Sequence, residues 1–231
     1  MSFLNMRKKS GPAHKKAKPG RQKTASRRKE KKEHTKAEIL AAALQLFQTK
    51  GVGNTTAKEI ATKAGIAEGT FFNYFPTKED LALYFFQKGI DDLIQWYDRQ
   101  GSLKQAPIEE KLFAIIHRQL EQLKPYEDFI GSVFFRSLEP RSKLNALSFE
   151  SQENRLRYLR FIDGLLKEAI QRGEIPDVGR LGAYGVGLFY MGIVTFWLHD
   201  MSHGKQKTLA LLDRSLVVAT RFLRKGGWEW K

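Results

Sequence analysis

The stretch that decides the fold is TTAKEIATKAGIAEGTFFNYFPTK, residues 55–78. Thr56 is a good N-cap, and Glu59 three residues later completes a capping box. A helix is therefore expected over residues 57–64. Gly65 follows it, and glycine readily takes the positive φ that a helix end needs when the chain reverses direction.

A second helix is expected over residues 67–74, because Pro76 cannot continue it. Ala61 is small enough to let this helix cross the first one closely. An ordinary helical hairpin is the alternative, but the joint spacing of small and apolar residues favours a DNA-reading helix-turn-helix. The positions that match together are Ile60, Ala61, Ala64, Gly65, Ile66, Phe71 and Tyr74.

Residues 35–82 resemble the N-terminal domain of the tetracycline-repressor (TetR) family of bacterial transcriptional regulators. The likeness starts in the helix TKAEILAAALQLFQTKG and continues through AGIAEGTFFNYFPTKEDL. It implies a sequence-specific regulator, a repressor that a small-molecule effector releases from a near-palindromic operator. By position, it also implies DNA contacts from Thr55, Thr56, Ala67, Glu68, Gly69, Thr70, Phe72, Asn73, Tyr74 and Lys78.

Two positions depart from the pattern of that family. Ala67 stands where a serine is frequent, so the side-chain cap of the second helix is missing. Phe72 stands where a tyrosine is frequent, so one hydroxyl contact with phosphate is missing. Both departures affect single contacts and leave the expected fold unchanged.

The positive charge of the chain is concentrated near its start. Residues 1–34 hold 13 Lys and Arg against 2 Glu, most of the net charge of +15. Their composition predicts a disordered tail, interpreted as an arm that neutralises DNA phosphates; the alternative is a solubilising extension. Residues 35–80 balance 5 Lys with 5 Asp and Glu. Long-range attraction to DNA must therefore come mainly from the tail.

The rest of the chain has helical apolar spacing and no alternating strand pattern. We therefore expect an all-α fold with a three-helix DNA-binding domain and a larger helical domain for effector binding and dimerisation. The predicted division is a basic tail at 1–34, a helix-turn-helix domain at 35–82 and the larger domain at 83–231.

Residues 181–198, LGAYGVGLFYMGIVTFWL, carry no charge. A membrane span is the alternative, but 18 residues are at the short limit for one and no second candidate accompanies them. A buried helix or a dimer helix is therefore favoured for these residues. The protein is expected to be cytoplasmic, bacterial and associated with the nucleoid. The resemblance implies a four-helix bundle between two copies, with helices at 150–172 and 177–200. One candidate contact stripe is Tyr184, Leu188 and Met191.

No catalytic or metal-ligand pattern is recognisable, so we expect no enzyme activity, no metal and no cofactor. A small-molecule enzyme or carrier, and a sequence-indifferent nucleic-acid binder, remain alternative hypotheses. The resemblance implies a cavity between helices for an apolar or aromatic effector. The candidate lining residues are Trp96, Tyr97, Phe113, His117 and Phe134.

Overall fold

The computed structural model describes residues 19–137, 139–145, 148–179 and 181–224. These residues form nine α-helices and three short 3₁₀ turns, with no strand among them. The all-α prediction is therefore confirmed. The chain divides into two compact units, residues 1–38 and residues 39–231, which are described separately.

In the first unit, the described residues belong to helix α1, which spans Pro19–Lys50. The prediction of a disordered tail at 1–34 is therefore wrong for residues 19–34, while residues 1–18 lie outside the described residues. The composition argument failed because Lys, Arg, Glu, Gln and Ala are also good helix formers.

Local hydrogen bonds support this part of α1. The Ser26 hydroxyl donates to Glu30 one turn later, at 2.9 Å. Thr35, the first residue of the stretch TKAEILAAALQLFQTKG, lies inside α1 and donates its hydroxyl to the Lys31 carbonyl at 3.0 Å. The helix thus begins well before the stretch that resembles the family domain.

In the second unit, three helices follow α1, and the first two correspond to the helices predicted over residues 57–64 and 67–74. They are α2 (Ala57–Lys63), α3 (Glu68–Tyr74) and α4 (Lys78–Asp98). Gly65 has a φ of +68°, as the turn required, and Ala61 is 1% exposed.

The remaining helices build the larger part of the second unit. They are α5 (Ile108–Leu123), α6 (Glu127–Ser137), α7 (Gln152–Gln171), α8 (Leu181–His199) and α9 (Gln206–Arg224). Helix α7 packs on α4 and α8, and α5 packs on α4 and α9. A continuous apolar core fills the space between them. The boundary predicted between residues 82 and 83 stays a prediction.

By length and composition, α8 is the one helix within the described residues that could cross a membrane, and 22% of its most apolar stretch is buried in the chain. Its inward face carries Ala183, Ile193, Val194 and Trp197, whereas Leu181 and Leu188 are more than 70% exposed. A single copy of the chain therefore leaves a broad apolar face of α8 uncovered.

Candidate nucleic-acid interface

Helix α3 has one buried face and one exposed polar face. Phe71 is 4% exposed and packs inward, while Glu68, Gly69 and Asn73 are exposed. A Cβ added at Gly69 would meet no atom within 4 Å. The outer face of α3 is therefore open to another molecule.

The neighbouring candidates have intermediate or high exposure. Thr70 and Tyr74 are half-buried, Phe72 is 46% exposed, and Lys78 is exposed at the first position of α4. Ala67 is the N-cap of α3 and provides no side-chain hydrogen bond, because a methyl group cannot accept one. The Thr70 and Phe71 backbone N–H groups both donate to the Ala67 carbonyl, at 2.9 and 3.2 Å, so backbone contacts alone close the first turn of α3.

Thr55 is the exception among the ten sequence candidates. Its side chain is buried, at 2% exposed, and its hydroxyl donates to the Gly51 carbonyl at 2.8 Å. The prediction that Thr55 contacts DNA is therefore wrong for its side chain. Thr55 instead fixes the loop between α1 and α2.

Thr56 has the predicted capping role at the start of α2. Its hydroxyl accepts from the Glu59 backbone N–H at 3.2 Å, and its own backbone N–H donates to the Glu59 carboxylate at 2.9 Å. Lys50 at the end of α1 also contacts Glu59. Hydrogen bonds from Lys50 and then Thr56 lower the pKa of Glu59 to about 2. Because Glu59 already uses the Thr56 N–H, a phosphate must share or displace that contact.

The candidate effector residues occupy three different helices of the C-terminal region. Trp96 and Tyr97 are at the end of α4, Phe113 and His117 are on α5, and Phe134 is on α6. The Phe113 and His117 rings stack at 5.9 Å, and Tyr97 packs edge-on against Phe161 at 5.5 Å. Among the described residues, no ring contact joins two of the five across different helices. Their common role stays a prediction.

Sequence reasoning missed a polar group between α5, α7 and α8. The rings of Tyr158 and Tyr190 lie 6.0 Å apart, and the Tyr158 hydroxyl donates to the Gln119 side chain at 3.4 Å. Burial raises the pKa of both tyrosines well above the ordinary value, so both phenols stay protonated. Spacing along one helix cannot reveal such a group, because its members come from three helices.

The candidate dimer residues have unequal exposure. Leu188 is 74% exposed and Tyr184 is 49% exposed, while Met191 is half-buried and packs against the core. Leu181, one turn before Tyr184, extends the exposed apolar stripe. The outward part of the predicted stripe is thus accessible to a second copy.

Two family models match the chain. The one described as bacterial regulatory proteins of the tetR family matches residues 39–85, and the one described as a tetracyclin repressor-like C-terminal domain matches residues 111–229. The chain belongs to the TetR family. The resemblance seen in residues 35–82 is confirmed, and this TetR-family chain is a sequence-specific DNA-binding transcriptional regulator.

The names of its relatives, and a similar structure with a bound ligand, fit the function of a ligand-responsive repressor. The fatty acid metabolism regulator protein of Bacillus subtilis is 29% identical over 140 residues, 61% of this chain and 70% of the relative. The transcriptional repressor BepR of Brucella suis is 28% identical and covers 80% of this chain and 89% of BepR. The crystal structure of FadR from Bacillus subtilis with stearoyl-CoA aligns at a TM-score of 0.57 and 26% identity, over 82% of this chain and 98% of FadR.

Proposed function

We propose that this chain is a homodimeric repressor that leaves a near-palindromic operator when a long-chain acyl thioester binds its C-terminal region. The observation that carries the proposal is the open polar face of α3, next to a buried face that fixes the helix on its neighbours. Such a helix fits the major groove, and a two-fold pair of them fits two half-sites.

Within this proposal, Asn73 and Thr70 read base edges, since the amide of asparagine can pair with adenine through two hydrogen bonds. Lys78 holds a backbone phosphate, a contact that orients the headpiece (the helix-turn-helix domain) without reading sequence. Thr56, Ala67, Glu68, Gly69, Phe72 and Tyr74 complete the proposed DNA surface.

The effector class is suggested by the FadR complex with stearoyl-CoA and by the name of the Bacillus subtilis relative. The chain itself has aromatic side chains and a few polar groups between its C-terminal helices, the side-chain types that usually line a ligand site. We assign Tyr158, Tyr190 and Gln119 to the polar part of that site. Trp96, Tyr97, Phe113, His117 and Phe134 remain candidates for its walls.

Dimerisation through α8 would cover the apolar stripe that one copy leaves exposed. The same apolar surface would also suit a membrane-spanning helix. However, α8 lies inside residues 111–229, which match the C-terminal domain of a regulator family, and this match favours the dimer. We therefore favour a cytoplasmic, nucleoid-associated dimer that contacts no membrane. We also propose that the protein is not an enzyme and needs no cofactor or metal.

Release would follow from a population shift. The dimer can adopt a headpiece spacing that fits the operator and one that does not, and an effector that binds the second better shifts the dimer toward it. By reciprocity, DNA must weaken effector binding by the same factor by which the effector weakens DNA binding. A titration of the protein–operator complex tests this, with stearoyl-CoA as the ligand and coenzyme A as the matched control. We expect release by stearoyl-CoA alone. Equal behaviour of both compounds would contradict the proposed effector class while leaving operator binding intact.

A further inference from the structure

The first turn of α4 carries two carboxylates directly after Lys78. The side chains of Glu79 and Asp80 are 19% and 23% exposed, respectively. Negative charge is favourable at a helix N-terminus. Beside the phosphates that Lys78 is proposed to contact, however, two unpaired carboxylates would oppose DNA binding.

Both carboxylates are bound by the end of α6 and by the segment that joins α6 to α7. Glu79 accepts the backbone N–H of Lys143 at 3.2 Å, and its carboxylate lies 3.4 Å from the Arg136 guanidinium. The Lys143 ammonium donates to both oxygens of Asp80, at 3.0 and 3.1 Å. Ser142 adds a longer hydroxyl contact to Glu79 at 3.4 Å. These contacts connect positions more than 55 residues apart in the chain.

Asp80 also closes the capping box of α4. It accepts from the Thr77 backbone N–H at 2.9 Å and from the Thr77 hydroxyl at 2.6 Å. Partial burial alone would raise the pKa of Asp80, but the hydrogen bonds from Thr77 and Lys143 lower it. One carboxylate therefore joins the cap of α4 to Lys143.

The α6–α7 segment is itself held by hydrogen bonds. The Ser148 hydroxyl donates to the Lys143 carbonyl at 2.6 Å, and the Ser151 hydroxyl donates to the Asn145 carbonyl at 2.6 Å. The Asn145 amide donates to the Ser137 carbonyl at 3.2 Å, which ties the segment to the end of α6. A segment braced in this way can hold a neighbouring helix in place.

We infer that residues 139–145, together with Arg136 at the end of α6, form a latch that fixes the first turn of α4 on the C-terminal region, with Lys143 and Arg136 as its positioning residues. Only Phe75, Pro76 and Thr77 separate α3 from α4. Phe75 is 2% exposed, and proline has a fixed φ, so this connection has little freedom. A fixed α4 therefore also fixes the direction of the reading helix α3.

The inference rests on the proposed operator binding. It predicts a loss of operator affinity to which both protomers of the dimer contribute. If Lys143→Met weakens each headpiece about threefold, a dimer on two half-sites loses about tenfold, because the two free energies add. Lys143→Arg keeps the charge and the reach, so it should retain most of the affinity. Lys167→Met is the matched control, since Lys167 forms an ion pair with Asp163 within α7 and is 68% exposed.

Two readouts separate the latch from operator binding itself. Hydrogen exchange on the DNA-free protein should become faster in residues 68–83 of Lys143→Met and stay unchanged in α9. Operator titrations should show the tenfold loss, with no such loss in Lys143→Arg or Lys167→Met. Exchange can be measured even if the wild-type protein has no operator, so failure of the proposed function is distinguishable.

Three results would overturn the latch. The first is unchanged exchange in residues 68–83 of Lys143→Met, whatever its affinity, because Lys143 would then not hold α4. The second is faster exchange with wild-type affinity, because α4 would then not position α3. The third is an equal loss in Lys167→Met, because the effect would then reflect total charge.

Discussion

Shortening Leu188 on α8 should weaken the dimer by an amount that the structure lets us calculate. Leu188 is 74% exposed in one copy, next to Tyr184 on the same stripe. If α8 meets its symmetry mate, the same side chain is buried twice in one interface. A substitution in one gene therefore changes both sides of the contact.

Burying a whole leucine side chain is worth roughly 1.5–3 kcal/mol. Three quarters of that gain, counted on both protomers, gives about 2–4 kcal/mol for the dimer, much of which Leu188→Ala would remove. At 1.4 kcal/mol per factor of ten, the whole gain corresponds to roughly 30- to 700-fold in the dimer dissociation constant, and Leu188→Ala should show much of that rise. Leu188→Glu should be worse, because it places an unpaired charge in a desolvated contact.

Sedimentation equilibrium over a dilution series measures this constant. Phe149→Ala is the matched control, since Phe149 is 85% exposed but lies in the segment before α7. We expect a large change for Leu188→Ala and none for Phe149→Ala. A Leu188→Ala protein that dissociates at the wild-type concentration would refute the α8 interface, as would a Leu188→Glu protein that still sediments as a dimer.

The other predictions concern the DNA surface and its supports. Asn73→Ala should cost about 1–3 kcal/mol at one operator base and relax preference there, whereas Lys78→Ala should weaken all sequences alike and flatten the salt slope by about one unit; an equal effect of both in a titration against operator variants would contradict these roles. Deleting residues 1–33 should keep sequence preference but reduce the salt dependence of binding, because the number of counterions released scales with the number of phosphates neutralised. An unchanged slope of affinity against salt concentration would show that this region does not contact DNA. Glu59→Gln keeps the capping hydrogen bonds but loses the ion pair with Lys50. Because the folded pKa of Glu59 is about 2 against an ordinary 4.5, its stabilisation is present above pH 4.5 and is lost as the pH falls toward 2. Urea unfolding should therefore show a difference between wild type and variant at neutral pH that disappears in acid; a constant difference would contradict the assignment.

The helix-turn-helix was predictable because its determinants are local. Thr56 and Glu59 cap α2 from three residues apart, and Gly65 has the positive φ that the turn required. Such signals depend on side chains that are close in sequence. They therefore survive without knowledge of the rest of the fold.

The errors came from features that local patterns describe poorly. The basic start of α1 was interpreted from net charge, although the same residues have high helix propensity. Thr55 was placed on the DNA surface by position, from the family resemblance, and its hydroxyl bond to Gly51 was missed because that bond depends on the shape of a loop.

Two sets of contacts were missed because their partners are distant in the chain. Lys111 is 1% exposed and pairs with Glu168 on α7 at 3.1 Å. The contacts of Glu79 and Asp80 with Lys143 likewise require that the α6–α7 segment return to α4. Neither partner can be chosen from spacing alone.

The most direct test of the central claim is to map the sites that the purified protein occupies on genomic DNA. Sequence-specific reading by two α3 helices predicts short, near-palindromic sites whose half-sites lie about one helical turn, roughly 34–36 Å, apart. Protection of these sites should persist at moderate salt. Occupied fragments without a common sequence, bound only at low salt, would contradict the account and indicate a binder that acts through charge alone.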